Sequence, residues 1–169
     1  TISPCYLCAR MRRGFLYSKA KELGCNKIAL GHHFNDVIET TLVGMFYGSQ
    51  MQTMMPKVCS TSHPGMELIR PLYFVREEDI IAWSKYNDLE FIQCACKFTE
   101  KYALSKNPGE VSKREEMKTL IREMKKGYDK IDINIFNSVQ NVNLDTIISY
   151  RKGDKFTHFL DDYGSKKEE

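Results

Sequence analysis

Lys27-Ile28-Ala29-Leu30-Gly31-His32-His33-Phe34-Asn35-Asp36-Val37-Ile38-Glu39-Thr40 is a short apolar run, a polar turn and the opening of an amphipathic segment. Lys27 to Leu30 reads as a short buried strand. Beyond Gly31-His32-His33, Val37, Ile38, Leu42, Met45 and Phe46 fall at helical spacing, with Asn35 or Asp36 near the cap and an end near Gly48. Such a turn lies outside the carboxyl end of its strand, where open α/β sheets bind ligands. Backbone amides at the helix start favour phosphate, and the two imidazoles and Asp36 add hydrogen bonds or help to hold a magnesium ion. The plain alternative is a polar strand-to-helix turn capped by Asn35.

Working outward, the same alternation recurs. Met11, Phe15, Leu16, Ala20 and Leu23 make a helix of Ala9 to Leu23, closed by Gly24 as a C-cap glycine. Glu67 to Leu72 reads as a strand stopped by Pro71. Arg76 to Tyr86 is a helix with Ile80, Ile81 and Trp83 inside, and Leu89 to Ile92 another strand. Strands separated by helices of this length predict an α/β fold, a parallel sheet with helices on both faces. Residues 97–111 lapse into a polar loop. Ser112 to Lys126 then makes a charged helix with the stripe Met117, Leu120, Ile121 and Met124, and a shorter helix is expected from about Asp132 to Val139. Residues 1–96 are thus assigned to the α/β part, 97–150 to a helical C-terminal extension, and 151–169 to a polar, frayed tail.

At 169 residues, 42% hydrophobic and 28% charged, the chain has the size and composition of one ordinary domain, which excludes a disordered tail or a disulfide-only scaffold. No apolar run approaches the roughly 18 residues that span a bilayer, so no membrane is expected. The net charge of +3 permits a nucleic-acid partner without demanding one. Arg10, Arg12, Arg13, Lys19 and Lys21 place five positive charges on the first helix, and Arg70 and Arg76 lie near the next strand's end. They read as a solvated face or as steering for a polyanion such as RNA. Met51, Met54 and Met55 read as packing.

The six cysteines are too sparse for a secreted disulfide scaffold and point to a reducing, cytoplasmic compartment. Cys5 and Cys8 flank two residues at the mouth of the first helix, a spacing that lets two thiolates reach one metal. The other pair, Cys94-Ala95-Cys96, has a one-residue spacer that seldom lets both bind one ion. An iron-sulfur cluster with one exposed iron, a zinc site, a redox dithiol and plain thiols all remain open on this spacing. Cys25 and Cys59 read as small, partly buried thiols.

Taken together, Pro4-Cys5-Tyr6-Leu7-Cys8-Ala9-Arg10-Met11-Arg12-Arg13-Gly14, Ile28 to Thr40, Met45-Phe46-Tyr47-Gly48, Met55-Pro56-Lys57, Ile69-Arg70-Pro71-Leu72 and Arg76-Glu77-Glu78-Asp79-Ile80 resemble, in this order, the tRNA 2-thiocytidine synthetase family of ATP pyrophosphatases. The resemblance runs from about Pro4 to Val142. It implies an adenine-nucleotide-alpha-hydrolase-like fold, ATP with magnesium (Mg), a 4Fe-4S cluster, and sulfur insertion at C2 of a cytidine in tRNA. In such enzymes ATP adenylates the C2 oxygen, and sulfur carried on the cluster's open iron displaces AMP. By position, Cys5 and Cys8 match the family's first cysteine pair and Cys94 its later ligand. Gly31, His32, His33 and Asp36 match a nucleotide-binding motif with Asp36 at its catalytic position, and Arg70 of the R-P-L motif joins the nucleotide side. The implied partners are tRNA and a sulfur donor, with a homo-oligomer or partner chain over an exposed sheet edge.

Three features depart from the family pattern. Asn35-Asp36 stands where two aspartates are usual, Cys94-Ala95-Cys96 replaces a C-x-x-C, and the S-G-G-x-D-S phosphate loop expected before Cys5 is absent. The chain therefore reads as an N-terminally truncated, carboxy-terminal portion of a longer enzyme, expected to bind ATP weakly and to be inactive alone. A uridine C2-thiolating relative and a non-catalytic zinc-binding module for RNA or protein are the alternatives.

Overall fold

A computed structural model describes residues 4–91, 112–161 and 163–164, with side chains from Leu7 onward. At its centre β1 (Lys27–Ala29) and β3 (Glu67–Ile69) run parallel, with Ala29 opposite Ile69 and the Leu30 N–H donating to the Ile69 carbonyl at 2.9 Å. On the other side of β3 lies β2 (Lys57–Cys59), antiparallel, giving the order β1-β3-β2. The parallel pair is the one the alternation predicts. The added antiparallel strand escapes a pattern reading because all three of its residues are exposed. Leu89, Glu90 and Phe91 form no strand, and Ile92 falls outside the described residues.

The helix α1 (Pro4–Glu22) begins before Ala9, with proline at the first helical position where its missing N–H leaves nothing unpaired. Cys5 and Cys8 are therefore the second and fifth residues of the helix, at its N-terminal end. Gly24 takes φ +71°, the left-handed conformation that a C-cap glycine supplies. Tyr17 is buried and stacks on His63 of the β2–β3 connection, with ring centroids 4.7 Å apart. Met11, Phe15, Leu16 and Leu23, expected as a packed stripe, are exposed.

The core forms elsewhere. Around α2 (Phe34–Gly48) gather α4 (Lys113–Gly127) and α5 (Ile131–Ser138), which follow α3 (Glu77–Tyr86) in the chain. Phe34, Val37, Ile38, Leu42, Tyr73, Met117, Ile121 and Phe136 make one buried cluster, so the helical extension shares the core of α2. The bounds of α4 are close to those read from its stripe, because Ser112 caps it by accepting the Glu115 N–H at 3.2 Å. The apolar stripes of α2 and α4 are buried only in part, since Met45, Phe46 and Met124 stay exposed.

In α3 nothing is buried, and Ile81 and Trp83, expected inside, face out. Its start is nevertheless fixed. The Glu77 N–H donates to Asn35 Oδ1 at 3.0 Å, the Arg76 guanidinium lies 4.8 Å from the centroid of the Phe34 ring, and Lys118 pairs with Glu77 at 2.8 Å. Arg76 and Lys125 both reach the buried carboxylate of Asp132 at 2.5 Å, tying α3, α4 and α5 together.

The tail expected to fray from residue 151 is not frayed over residues 151–158. Instead β4 (Ser149–Lys152) and β5 (Lys155–His158) form an antiparallel hairpin around Gly153-Asp154, with Gly153 at φ +61°. A two-residue connection starting with glycine at positive φ matches the twist of a hairpin, a signal masked here by the charged composition.

One glycine is required by close approach. A Cβ on Gly44 would lie 3.0 Å from the Gln50 carbonyl oxygen, in the chain that folds back beyond the left-handed Ser49. Gly44→Ala should therefore lose about 1–2 kcal/mol to overpacking in spite of alanine's better helix propensity. Thermal unfolding followed by circular dichroism reads this, and an unchanged or raised Tm would mean that the 50–52 segment gives way freely.

Candidate functional site

Because Ala29 and Ile69 are in register, the segments that follow them leave the sheet from the same end. One carries Gly31-His32-His33 and the other Arg70. His33 has extended backbone (φ −123°) and is the N-cap of α2. The cap closes backwards from inside the helix, with the His33 N–H donating to Asp36 Oδ2 at 2.9 Å. Neither Asn35 nor Asp36 is itself the cap residue, since Asn35 is turned away to hold α3. The next amide, Phe34 N–H, donates to the Val75 carbonyl at 2.9 Å, so the turn is anchored to the chain leading into α3.

Three buried polar atoms at this end have no hydrogen-bond partner: His32 Nδ1, His33 Nδ1 and Arg70 Nε. Buried polar groups are nearly always paired, so unpartnered ones on both segments that leave the carboxyl end of the parallel strands mark a candidate place for a polar ligand. Arg70 also donates through Nη1 to the Met55 carbonyl, which holds its guanidinium in place. Burial lowers the pKa of His32, and the Arg70 charge lowers it further, with Asp36 acting the other way. Both effects favour the neutral imidazole of His32, which can donate from one nitrogen and accept at the other.

A second cluster adjoins the turn. Arg114, in the first turn of α4, donates through Nη2 to Asp36 Oδ1 and through Nε to Glu39 Oε2, the latter at 2.7 Å. Burial raises the pKa of Glu39, and the Arg114 hydrogen bond and charge oppose this. Asp36 stands out in the sequence, and Arg114 does not. No local pattern points to a partner 78 positions downstream, and the approach of α4 to α2 is the only signal.

Each cofactor named from the sequence has a different fit. For a nucleotide, the unpartnered Arg70 Nε–H and the His32 and His33 ring nitrogens suit phosphate or base atoms. For magnesium the turn does not fit: Asp36 is engaged by His33 and Arg114, Glu39 by Arg114, and Asn35 Oδ1 by Glu77. For an iron-sulfur cluster, Cys8 is an exposed free thiol, and Cys5 lies one turn earlier in the same helix, near an N-terminus that favours thiolate. Cys94 and Cys96 fall outside the described residues, as does the side chain of Cys5. Among the described residues, no three His, Cys, Asp or Glu side chains are placed to hold one metal ion. Cys25 and Cys59, expected to be partly buried, are exposed. Arg10, Arg12 and Arg13 are exposed on α1, beside Cys8 in sequence.

A family model described as the PP-loop domain matches residues 7–105. The chain is 37% identical over 138 residues to a tRNA-cytidine(32) 2-sulfurtransferase of Verminephrobacter eiseniae, covering 82% of this chain and 40% of that protein. A protein of the same name from Burkholderia multivorans is 40% identical over 138 residues, covering 82% and 39%. One from Photobacterium profundum is 48% identical over 90 residues, covering 53% and 30%. The chain thus spans about two fifths or less of these relatives. Among solved structures, the U34-tRNA thiolase NcsA from Methanococcus maripaludis, determined with its 4Fe-4S cluster, superposes with a TM-score of 0.57 at 18% identity, over 88% of this chain and 48% of that one. That likeness supports the α/β fold.

Proposed function

The chain belongs to the PP-loop domain family, and from that premise we propose that it is part of a tRNA sulfurtransferase that uses ATP and a 4Fe-4S cluster to insert sulfur at C2 of a cytidine. The observation that carries the reading is the set of unpartnered His32, His33 and Arg70 atoms on the segments that follow the carboxyl ends of β1 and β3. ATP is the ligand whose phosphates and base these polar atoms suit, and the similar proteins are named for a tRNA cytidine as acceptor.

In this reading Arg70 and the backbone of Gly31 and His32 face the phosphates, and the His32 and His33 side chains orient the nucleotide. Asp36 keeps that turn in shape from within the reacting site. Magnesium enters on the nucleotide's own phosphates, because the turn offers it no free carboxylate. Cys5, Cys8 and Cys94 are the proposed thiolate ligands of the cluster, which when bound supplies an open iron for sulfur delivery. The exposed Arg10, Arg12 and Arg13 meet tRNA phosphates. The reaction takes place in the cytoplasm with a separate sulfur donor, and an oligomer or partner chain covers the outer edge of β1. Among the described residues no helix is long and apolar enough to cross a membrane.

Three isolated contacts of about 0.5–1.5 kcal/mol each fall short of the roughly 8 kcal/mol of micromolar affinity, so this chain is expected to bind magnesium ATP only in the millimolar range. The test is anaerobic reconstitution of the full chain followed by iron and sulfide analysis, then nuclear magnetic resonance with millimolar magnesium ATP. About four irons and four sulfides per chain are expected. They should be lost in Cys8→Ser, and shift changes should centre on His32, His33 and Arg70. A colourless protein with stoichiometric zinc, or ATP that leaves those three residues undisturbed, would overturn the reading.

A further inference from the structure

We infer that Arg114 is the resident cation of the His-Asp turn: its guanidinium occupies the place at Asp36 and Glu39 that a metal ion would need, and it positions the turn through Asp36. The inference rests on the proposed nucleotide site but concerns a residue outside the motif that defines it.

The position of Arg114 is itself informative. The first turn of a helix carries the positive end of the macrodipole, where acidic residues are favoured and a cation is disfavoured. Arg114 nevertheless sits there, two residues past the Ser112 cap, and turns its guanidinium onto two carboxylates of α2. Glu39 is 5% exposed, and Asp36 has one oxygen on the His33 N–H and the other on Arg114. A planar fork that reaches two separate carboxylates fixes distance and angle together, which a lysine cannot do. The order of contact is Arg114, then Asp36, then the His33 amide. His32, one residue before, also feels the Arg114 charge. A divalent ion approaching Asp36 and Glu39 would meet a full positive charge in contact with both, and would have to displace it. The structure thus separates two tasks: a protein cation shapes the turn, and the metal travels with the nucleotide.

Hydrogen exchange and paramagnetic broadening on the nitrogen-15-labelled full chain test this. In the wild-type protein, added Mn²⁺ without nucleotide should leave the His33, Asp36 and Glu39 amides sharp. Selective broadening of these amides would overturn the inference. In Arg114→Met, which keeps the aliphatic stem, the His33 amide should exchange about tenfold faster or more, while the Val37 and β4–β5 amides keep their wild-type rates. If the methionine variant does not fold, Arg114→Lys carries the test, because it keeps the charge and loses the fork. It should accelerate His33 exchange to a smaller extent. Unchanged His33 exchange in whichever variant folds refutes the positioning role. The double variant Arg114→Met, Glu39→Gln separates a merely structural role: if Arg114 only neutralised buried Glu39, His33 protection would return, whereas acting through Asp36 it stays lost. Magnesium ATP added to the wild type is read separately. Failure of ATP to perturb His32 and His33 counts against the nucleotide reading and leaves the Arg114 result standing.

Discussion

Phe136→Ala is expected to lower the unfolding free energy by about 3–5 kcal/mol, the range for truncating a buried aromatic in a packed core. Phe136 is 3% exposed, and its ring lies 4.7 Å from Phe34, 5.5 Å from Tyr73 and 5.6 Å from Phe74 between centroids. Its loss removes dispersion contacts on three sides and leaves a void that backbone from three separate elements cannot easily close. Phe34 directly follows His33, so the damage should also reach the candidate site. Urea unfolding gives the free energy, with a Tm fall of about 2–4 °C per kcal/mol as a cross-check. A loss below about 1 kcal/mol would mean that the core collapses onto the gap and that α5 is dispensable for the packing of α2.

The second large effect concerns Asp132. Burial by itself raises its pKa, but hydrogen bonds from Arg76 and Lys125 and from the Ile133 amide outweigh this and hold it at about 2, against 3.8 for a free carboxyl. The folded-state pKa is depressed, so the contribution to stability is present above about pH 4 and is lost as pH falls through about 2. It amounts to about 2 kcal/mol. Asp132→Asn removes the charge while two cations still face the site, and should destabilise by about 2–4 kcal/mol at neutral pH, less than for a wholly buried triad because Arg76 and Lys125 are one-third exposed. The stability of the variant should also be flatter between pH 4 and pH 2 than that of the wild type. Parallel slopes over that interval would show that Asp132 is not the titrating group.

What could be read from the sequence was whatever has a local physical cause. The β1–turn–α2 unit and the bounds of α4 and α5 follow from apolar spacing and caps such as Ser112, and the structure places each within a few residues of its expected limits. Spacing does not reveal what a stripe packs against. Met11 and Phe15 on α1, and Ile81 and Trp83 on α3, have helical periodicity yet stay exposed, whereas the same signal on α2 and α4 leads to burial. The strand β2 has no alternation to detect over three exposed residues, and the β4–β5 hairpin is disguised by its lysines and arginine. At the site, Gly31 to Asp36 and Arg70 stood out because a strand end and a motif coincide there. Arg114 did not, because its meaning depends on a helix that arrives much later in the chain.

That lateness has a consequence for synthesis on the ribosome. The ring of Phe34 meets that of Phe136, and Asp36 meets Arg114, so the opening of α2, which meets Tyr73, Val75 and Glu77 earlier, completes its contacts only after about a hundred more residues have been made. At roughly 5–20 residues per second this is a wait of about 5–20 seconds, during which the apolar face of α2 lacks the cover of Met117, Ile121 and Phe136. Nascent chains stalled before residue 114 should therefore hold onto chaperones through the Val37, Ile38 and Leu42 stretch, and release should follow the emergence of α5.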